Sequence, residues 1–373
     1  MIICKYSFGL SNFMNNDIYT NNPPNGLRVL DLFCGCGGLS LGFKRAGFNI
    51  VGGIDNDKSS IDTFNHNIGL GYIDDLSDKD WPKRFNVKSK NSPVDILIGG
   101  PPCQGYSLTG TRDADDDRNK LYNAMFVGID AFKPKAVVIE NVRGMATLYG
   151  GAAKSQVTKM FEALGYDVQI KILDSANYFV PQHRLRLFFV ATLPEYSFSW
   201  PIETNDKKNY VTCSDALSDL PSMENSPNDD KSEYLHGPRT TFMELMRQNS
   251  KIATNHKPTV HKQFVIDTIK LVPEGGNHKD LPAGVGESRK FNEAWTRYHS
   301  QKPSRTIDTG HRNHFHYKFN RVPTIRENAR LQSFPDTFNF LGSKTSQNRQ
   351  VGNAVPVFLA QSVANELAKS ITK

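Results

Sequence analysis

Residues Val29–Phe43 read VLDLFCGCGGLSLGF, and this stretch decides the fold. An apolar run leads into a glycine-rich turn and then into helix-like spacing of apolar residues, which predicts a strand, a turn and a helix in succession. Because glycine has no Cβ, Gly35, Gly37 and Gly38 allow a ligand to approach the backbone of the turn closely. The stretch therefore predicts a ligand site at the end of a strand, although a tight turn with a purely structural role fits the same residues.

The alternation of strand-like and helix-like segments continues along the first half of the chain. Apolar runs alternate with helix-like segments up to Leu193, which predicts an α/β fold with a doubly wound, mostly parallel, Rossmann-like sheet. The first residues are rich in Asn and too polar to pack, and the chain becomes irregular again from about Pro194. The predicted divisions are a flexible N-terminal arm, an α/β domain with the predicted ligand site, a second and smaller domain, and a final segment with a regular pattern: 1–26, 27–193, 194–300 and 301–373.

Composition and charge indicate what kind of partner the protein binds and in which cellular compartment it works. A net charge of +7 favours a polyanionic partner such as nucleic acid, although many basic proteins bind nothing acidic. No apolar stretch approaches the length of a membrane-spanning helix, and the N-terminus lacks the apolar core of a signal peptide, so we predict a cytoplasmic protein without a membrane partner. The five cysteines include no CxxC pair, which predicts reduced thiols.

Histidines near the end of the irregular region raise the question of a metal. His311, His314 and His316 lie close together in HRNHFH, but no cysteine or acid stands at ligand spacing from them. We therefore predict no metal site and expect these rings to contact solvent or phosphate.

The glycine-rich turn also restricts the cofactor. A dinucleotide fingerprint would need a glycine where Ser40 stands, so a nicotinamide or flavin site is disfavoured. Asp55 ends the second predicted strand about 20 residues further on, where an acid commonly holds ribose hydroxyls. Together these features predict an adenosine-type cofactor without a pyrophosphate.

A lone cysteine follows another buried strand. Gly99–Ser107 reads GGPPCQGYS and comes directly after the apolar run VDILI. Pro101 and Pro102 fix their own φ and push the preceding residue toward extended geometry, so the thiol of Cys103 is presented on a stiff support. A free cysteine is more often a small core residue. Its place in a loop at a strand end nevertheless favours a nucleophile.

Three charged residues are candidates to act beside this thiol. Glu140 ends the buried run KAVVI, where partial burial would raise the pKa of its carboxyl and allow it to donate a proton, although an ion-paired or capping acid fits as well. Arg184 and Arg186 stand two residues apart at the start of a strand, so both point to one side and suit a phosphate or a carbonyl oxygen. The alternative is an edge strand with charges in solvent.

These stretches together resemble a known family. DLFCGCGG, GGPPCQGYS, ENVRG, QHRLR, RENARLQSFPD and QVGNAVP follow one another between Asp31 and Pro356, and the sequence in this respect is similar to the DNA cytosine-5 methyltransferases of bacterial restriction-modification systems. The resemblance implies S-adenosylmethionine as cofactor and double-stranded DNA as substrate. It also implies that 194–300 recognises the target and that 301–373 returns to complete the catalytic domain.

The resemblance further implies a covalent mechanism. Cys103 would add to carbon 6 of a cytosine flipped out of the duplex, which makes carbon 5 nucleophilic enough to take the methyl group. Glu140 would contact the ring nitrogen and the exocyclic amine, and Arg186 would hold the base and the nucleophile loop, with Arg184 as a further catalytic candidate. Gln104 and Ser107 would touch the DNA.

The cofactor contacts carry over in the same way. Asp75 aligns only loosely with the residue that meets the adenine edge, because Asp74 stands next to it. The implied cofactor-binding residues are Phe33, Gly35, Gly37, Gly38, Asp55, Asn56, Asp75, Pro101, Asn353 and Val355.

Three other functions remain open from the sequence. A transfer RNA cytosine-5 methyltransferase is disfavoured by a recognition region of about 100 residues, which is large enough to read a duplex groove. A catalytically silent DNA-binding relative is disfavoured by the presence of Cys103, Glu140 and Arg186, and a nicotinamide oxidoreductase by Ser40. We expect a monomer whose cognate restriction endonuclease, if there is one, acts independently.

Overall fold

The described residues of the computed structural model form two compact units, each built around its own interior. The sheet unit takes in the described residues of 24–174, 185–203 and 357–372, and the second unit those of 175–184 and 204–356. The structure describes residues 24–102, 117–287, 291, 293–310 and 312–372.

Seven strands from the described residues form the sheet, in the order β3-β2-β1-β4-β5-β7-β6. All neighbouring pairs are parallel except those of β7, which runs antiparallel to both β5 and β6. The prediction of a mostly parallel α/β sheet is therefore confirmed. The strands are β1 Arg28–Leu32, β2 Asn49–Asp55, β3 Gly71–Ile73, β4 Ile96–Gly99, β5 Ala136–Val142, β6 Asp167–Asp174 and β7 Leu185–Thr192.

Helices cover the apolar faces of these strands, because the central strands are buried over nearly their whole length. The second helix begins where Asp57 accepts a hydrogen bond from the Ser60 backbone N–H at 2.8 Å, a side-chain cap. The helices of the sheet unit are α1 Gly38–Arg45, α2 Lys58–Asn67, α3 Trp81–Lys88, α4 Asp117–Phe132, α5 Ala152–Ala163 and α11 Val357–Ile371.

The last helix returns from the end of the chain to pack on the first. A Cβ placed on Gly42 would lie 2.4 Å from the Cβ of Ala360 and 2.8 Å from the carbonyl oxygen of Val357, so only glycine allows the two helices this approach. Arg45 adds a hydrogen bond from Nε to Oε1 of Gln361 at 3.2 Å. Residues 300 positions apart in the chain thereby complete one core.

The second unit is held together less by regular structure than by polar side chains. Its two strand pairs are two residues long on each side. Its elements are α6 Cys213–Leu217, α7 Thr241–Arg247, α8 Gln263–Leu271, α9 Ile325–Leu331, α10 Lys344–Asn353, β8 Ser232–Glu233, β9 Ile252–Ala253, β10 Thr296–Arg297 and β11 His314–Phe315.

This division of the chain differs from the predicted one. Residues 301–356 belong to the second unit rather than to the sheet unit, as do 175–184, and only 357–372 return to the sheet. The reason is long-range pairing: Arg330 on α9 forms an ion pair with Asp219, 111 residues earlier. Residues 1–23 of the predicted N-terminal arm lie outside the described part of the chain.

Within the described ranges, no helix combines the length and the apolar character that a membrane span requires.

Candidate active site

The predicted site residues of the sheet unit meet at one edge of the sheet. Strands β2, β1, β4 and β5 are adjacent and parallel, so their carboxyl ends lie along the same edge. Asp55, Gly100 and Glu140 stand at or just beyond these ends. Because β7 is antiparallel, it begins where β5 ends and brings Arg186 to this edge. Crevices outside the carboxyl ends of such strands are where open α/β sheets bind ligands.

Glu140 and Arg186 form the charged pair of this edge. Arg186 lies opposite Val142 in the antiparallel register, and Glu140 shares the face of Val142 two residues earlier, so a long side chain reaches it diagonally. The Arg186 Nε lies 2.8 Å from Glu140 Oε1, and both side chains are nearly buried, with 12% and 11% exposed. Burial lowers the pKa of Arg186, while the Glu140 carboxylate opposes that shift. The predicted proton donation by Glu140 stays a prediction, since burial and a facing guanidinium act on a carboxyl in opposite directions.

The segment that precedes the predicted nucleophile lies against this pair. A Cβ on Gly99 would fall 2.6 Å from the Leu32 carbonyl oxygen, so the chain must be glycine where β4 ends. A Cβ on Gly100 would lie 3.3 Å from Oε2 of Glu140, which shows how close the carboxyl is to the backbone. Cys103, Gln104 and Ser107 lie outside the described residues, and their predicted roles stay predictions.

The glycine-rich turn after β1 has the backbone that the sequence predicts. Phe33, Gly35 and Gly37 all have positive φ, of 58°, 52° and 97°. A left-handed φ is strained for a phenylalanine and tends to occur where function requires it. No atom of the described residues lies within 4 Å of where a Cβ on Gly35 would stand, so none of these residues fills the space beside this part of the backbone.

Asp55 at the end of β2 holds this turn in place. Its Oδ2 accepts a hydrogen bond from the Gly35 N–H and its Oδ1 one from the Asp57 N–H, both at 2.9 Å. Burial raises the pKa of Asp55, and the backbone N–H donors oppose that shift. Each carboxylate oxygen has a further lone pair, so Asp55 can still accept from a ligand hydroxyl.

Sequence reasoning missed Asp31, which lies inside β1 and is completely buried. Burial, together with the nearby charge of Asp55, raises the pKa of Asp31 to about 8, although Ser40 donates to its Oδ2 at 2.6 Å. Its Oδ1 is buried and has no hydrogen-bond partner among the described residues. The signal was available, because an acid inside the apolar run VLDLF is unusual for a buried strand.

The two thiols of the turn behave differently from an activated cysteine. Burial raises the pKa of Cys34 well above its ordinary value and that of Cys36 to about 12. Both side chains are buried, so they are protonated packing residues. Cys213 in the second unit is buried with a raised pKa as well.

The two adjacent acids after β3, Asp74 and Asp75, have different surroundings. Asp74 is bound by Arg84 at 2.7 Å and by Lys88 at 3.2 Å. Burial would raise the pKa of Asp74, but the hydrogen bonds from these two cations lower it. Asp75 is exposed and accepts from the Ser77 hydroxyl at 2.7 Å. This arrangement favours Asp75 over Asp74 as the residue that meets a ligand.

Arg184 does not share the environment of Arg186, in contrast to the predicted side-by-side arrangement. It precedes β7, is buried, and donates to the carbonyl oxygens of Ile307 at 3.2 Å and Gly352 at 2.6 Å, all within the second unit. Gly352 directly precedes Asn353, a predicted cofactor contact that is exposed at the end of α10. Arg184 therefore fits a positioning role for this backbone.

Three further predicted cofactor residues, Asn56, Pro101 and Val355, differ in how far they are exposed to solvent. Asn56, just beyond β2, is exposed, whereas Pro101 and Val355 are buried. Asn56 and Pro101 belong to the sheet unit, and Val355 belongs to the second unit.

The predicted contacts of the histidines with solvent are wrong for the two that the structure describes. His314 and His316 are buried, because the polar rings pack inside the second unit beside Tyr298 and Phe319. Burial lowers the pKa of His316 to about 3, so its ring is neutral. No group of metal-ligating side chains is found within the described residues.

Comparisons with known proteins identify the family of the chain. The sequence profile of the C-5 cytosine-specific DNA methylases matches residues 27–369. The chain belongs to this family. It is a DNA cytosine-5 methyltransferase, and the nicotinamide oxidoreductase alternative is thereby set aside.

Individual relatives of the methylase cover almost all of its length. It is 35% identical to the type II methyltransferase M1.HphI of Haemophilus parahaemolyticus over 93% of this chain and 88% of the relative. It is 34% identical to M.DdeI of Desulfomicrobium norvegicum over 92% and 88% of the two chains. A solved structure from an E. coli prophage, assigned as a DNA modification methyltransferase, has a TM-score of 0.77 and 26% identity over 93% of this chain and 100% of that chain.

Proposed function

We propose that this methylase transfers a methyl group from S-adenosylmethionine to carbon 5 of a cytosine in double-stranded DNA through a covalent bond to Cys103. The observation that carries the proposal is the Glu140–Arg186 pair at a carboxyl edge of the sheet, where a Cβ on Gly100, three residues before Cys103, would lie only 3.3 Å from Glu140 Oε2. This edge of the sheet therefore holds both an ion-paired carboxylate and the two-proline segment that leads to the Cys103 thiol. The buried, protonated Cys34, Cys36 and Cys213 are poor nucleophiles by comparison.

The chemistry assigned to the thiol follows from the electronics of cytosine. The Cys103 thiolate adds to carbon 6, and the electron pair of the 5,6 double bond moves toward carbon 5. Carbon 5 then takes the methyl group, whose bond to the sulfonium breaks so that a neutral thioether leaves. A base such as water removes the proton from carbon 5, and the electron pair of that C–H bond restores the 5,6 double bond. The bond between the Cys103 sulfur and carbon 6 breaks in the same elimination, and the thiolate is released. A base inside a duplex cannot reach the thiol, so the cytosine must be flipped out.

Glu140 and Arg186 support this addition. Glu140 is proposed to contact the ring nitrogen and the exocyclic amine, where a proton or a hydrogen bond stabilises the charge that the thiolate brings into the ring. Arg186 orients that carboxyl through its 2.8 Å contact and holds the base. Neither residue needs to move far, because each is fixed by a strand of the sheet.

The turn after β1 fits S-adenosylmethionine. The space beside Gly35, which no described residue fills, admits a ligand to the backbone. When bound, S-adenosylmethionine supplies an electrophilic methyl group. Asp55 is proposed to hold ribose hydroxyls and Asp75 the adenine edge, and the other residues of the sheet unit proposed for the site are Phe33, Gly35, Gly37, Gly38, Asn56 and Pro101. The roles of Asn353 and Val355 stay predictions from the resemblance.

The partners are proposed from the relatives. Type II methyltransferases such as M1.HphI and M.DdeI support a role as the modification half of a restriction-modification system. We infer a cytoplasmic monomer whose endonuclease acts independently, and a second unit that selects the target through base-edge contacts.

Trapping of the covalent intermediate tests the proposal. Duplex DNA with 5-fluorocytosine at the target, incubated with the methylase and S-adenosylmethionine, is expected to form a stable adduct, because fluorine does not leave as a proton does. Mass spectrometry should place the adduct on Cys103, and Cys213→Ala should be trapped as the wild type is. An adduct on another cysteine, or full activity of Cys103→Ala, would contradict the proposal. No adduct with folded wild-type protein would favour a silent DNA-binding relative.

A further inference from the structure

Asn141, next to Glu140 at the end of β5, contacts the segment that carries the predicted nucleophile. Its side chain is buried, and Nδ2 donates to the carbonyl oxygen of Pro101 at 3.1 Å. Its Oδ1 accepts from the Val142 backbone N–H at 2.8 Å, which fixes the orientation of the amide. The amide group is thus held by its own strand and aimed at the chain that leaves β4.

The two prolines before Cys103 limit the hydrogen bonds that can hold this segment in place. Pro101 and Pro102 have no backbone N–H, so hydrogen bonds can hold this stretch only through its carbonyl groups. The Asn141 amide supplies such a bond two residues before Cys103. The β4–β5 pairing ends at Gly99 and Ile139, so the amide continues the connection between the two strands where the backbone ladder stops.

We propose that Asn141 is a positioning residue for Cys103, and the inference rests on the proposed function of that thiol. Glu140 and Asn141 are adjacent in β5, so their side chains point to opposite faces of the sheet. The two residues can therefore have different roles. Glu140 faces Arg186 and the base, whereas Asn141 fixes the backbone at Pro101 and with it the distance from the sulfur to carbon 6. A nucleophile misplaced by about 1 Å can react about 100-fold more slowly.

Two substitutions separate the bond to Pro101 from the bond to Val142. Asn141→Asp keeps the shape and the acceptor for the Val142 N–H but removes the donor, and Asn141→Ala removes both without adding a charge. Asn65 offers a matched control in the same unit, because its side-chain amide also bonds a backbone carbonyl and a backbone N–H, both of Gly71, away from the site. Both Asn141 variants are expected to lower the single-turnover rate of methyl transfer about 10- to 100-fold.

The positioning role has a kinetic signature that general destabilisation lacks. The KM for DNA and the calorimetric Kd for S-adenosylmethionine should stay within about twofold of the wild type, while the rate of adduct formation with 5-fluorocytosine DNA falls with the methylation rate. Asn65→Ala should leave both rates unchanged. Wild-type rates in either folded variant, or a parallel loss of cofactor affinity, would overturn the inference. If wild-type protein itself forms no adduct on Cys103, the proposed function fails instead, so the two failures are distinguishable.

Discussion

The sheet unit places the Glu140–Arg186 ion pair at the ends of two strands, whereas the second unit buries ion pairs in its interior. Glu140 and Arg186 lie at the carboxyl edge with about a tenth of each side chain exposed. In the second unit, Arg330 contacts both Asp219 and Asp336, and none of the three side chains has exposed surface. Arg247 and Tyr234 extend this group, which we call the Arg330 cluster.

The difference reflects two uses of charge. At the sheet edge a group must meet a ligand or change its protonation, which a partly accessible position allows. In the Arg330 cluster the guanidinium groups stay charged and every charge has a fixed partner, so the cluster specifies how loops pack in a unit with little regular structure. Substitutions should therefore alter catalysis in the first region and stability or target choice in the second.

The largest effect is expected from exchanging the target-selecting part with that of a relative that methylates another site. Exchange of 204–340 carries the whole Arg330 cluster and should move methylation to the relative's site, whereas exchange of 194–300 alone separates Asp219 from Arg330 and should give a less stable chimera. Bisulfite sequencing reports the site, and calorimetry with S-adenosylmethionine reports folding. A folded 204–340 chimera that still methylates the original site would place target choice in the sheet unit.

Glu140→Gln tests the sheet edge directly. The amide keeps the shape of the side chain but loses the charge opposite Arg186 and the ability to give up a proton, so methyl transfer should slow by about 10²- to 10⁴-fold. Single-turnover methylation measures the effect, with Asp130→Asn as a control because this exposed acid pairs with Lys133 on the surface. A rate within threefold of the wild type would show that the carboxyl is structural.

Arg330→Met tests the interior of the second unit. Removing Arg330 takes away the guanidinium that Asp219 and Asp336 share, and leaves Arg247 beside Asp219 and the Tyr234 hydroxyl beside Asp336. The loss of this buried cation should lower the free energy of unfolding by about 3–5 kcal/mol. Urea denaturation followed by circular dichroism gives the value. Arg239→Met, on the exposed surface of the same unit, should change it by no more than about 0.5 kcal/mol. Equal effects of the two substitutions would mean that the cluster adds no stability.

Asp55→Ala is expected to have a smaller effect, on cofactor binding. Loss of the carboxylate leaves ligand hydroxyls and the Gly35 N–H without an acceptor, so the affinity for S-adenosylmethionine should fall by about 1–3 kcal/mol. Calorimetry measures it, and Asp55→Asn, which retains one acceptor oxygen, should lose less. Unchanged affinity in both variants would remove Asp55 from the site.

The smallest effect concerns Asp31 and pH. Its folded-state pKa of about 8 lies above the unfolded value of 3.8, so the folded state retains a proton that the unfolded state releases. The stability it contributes is complete below about pH 4 and is lost as the pH rises toward about 8, by at most about 1.4 kcal/mol per pH unit. Urea denaturation at pH 6 and pH 7 without cofactor should show this loss in the wild type and a smaller one in Asp31→Asn. Identical slopes would contradict a buried, neutral Asp31.

Local patterns in the sequence account for much of the sheet unit. Strand and helix periodicity predicts six of its strands, and the glycines of the turn predict the backbone that Gly35 and Gly37 adopt. The short β3 and the helix α3 were missed, because Gly71–Ile73 is too brief for a period and Trp81–Lys88 is mostly polar. Site residues at strand ends were predictable because parallel strands bring their carboxyl ends together wherever each occurs in the chain.

The remaining features depend on tertiary contacts. The α/β sheet, the glycine turn and the candidates Glu140 and Cys103 were predictable, since they depend on neighbours within a few residues along the chain. Which arginine meets Glu140, what Asn141 holds, and where 301–356 packs depend on partners 40 or more positions away. Such contacts carry no periodic signal, because an ion pair or an amide hydrogen bond constrains only two side chains in space and leaves the intervening sequence free.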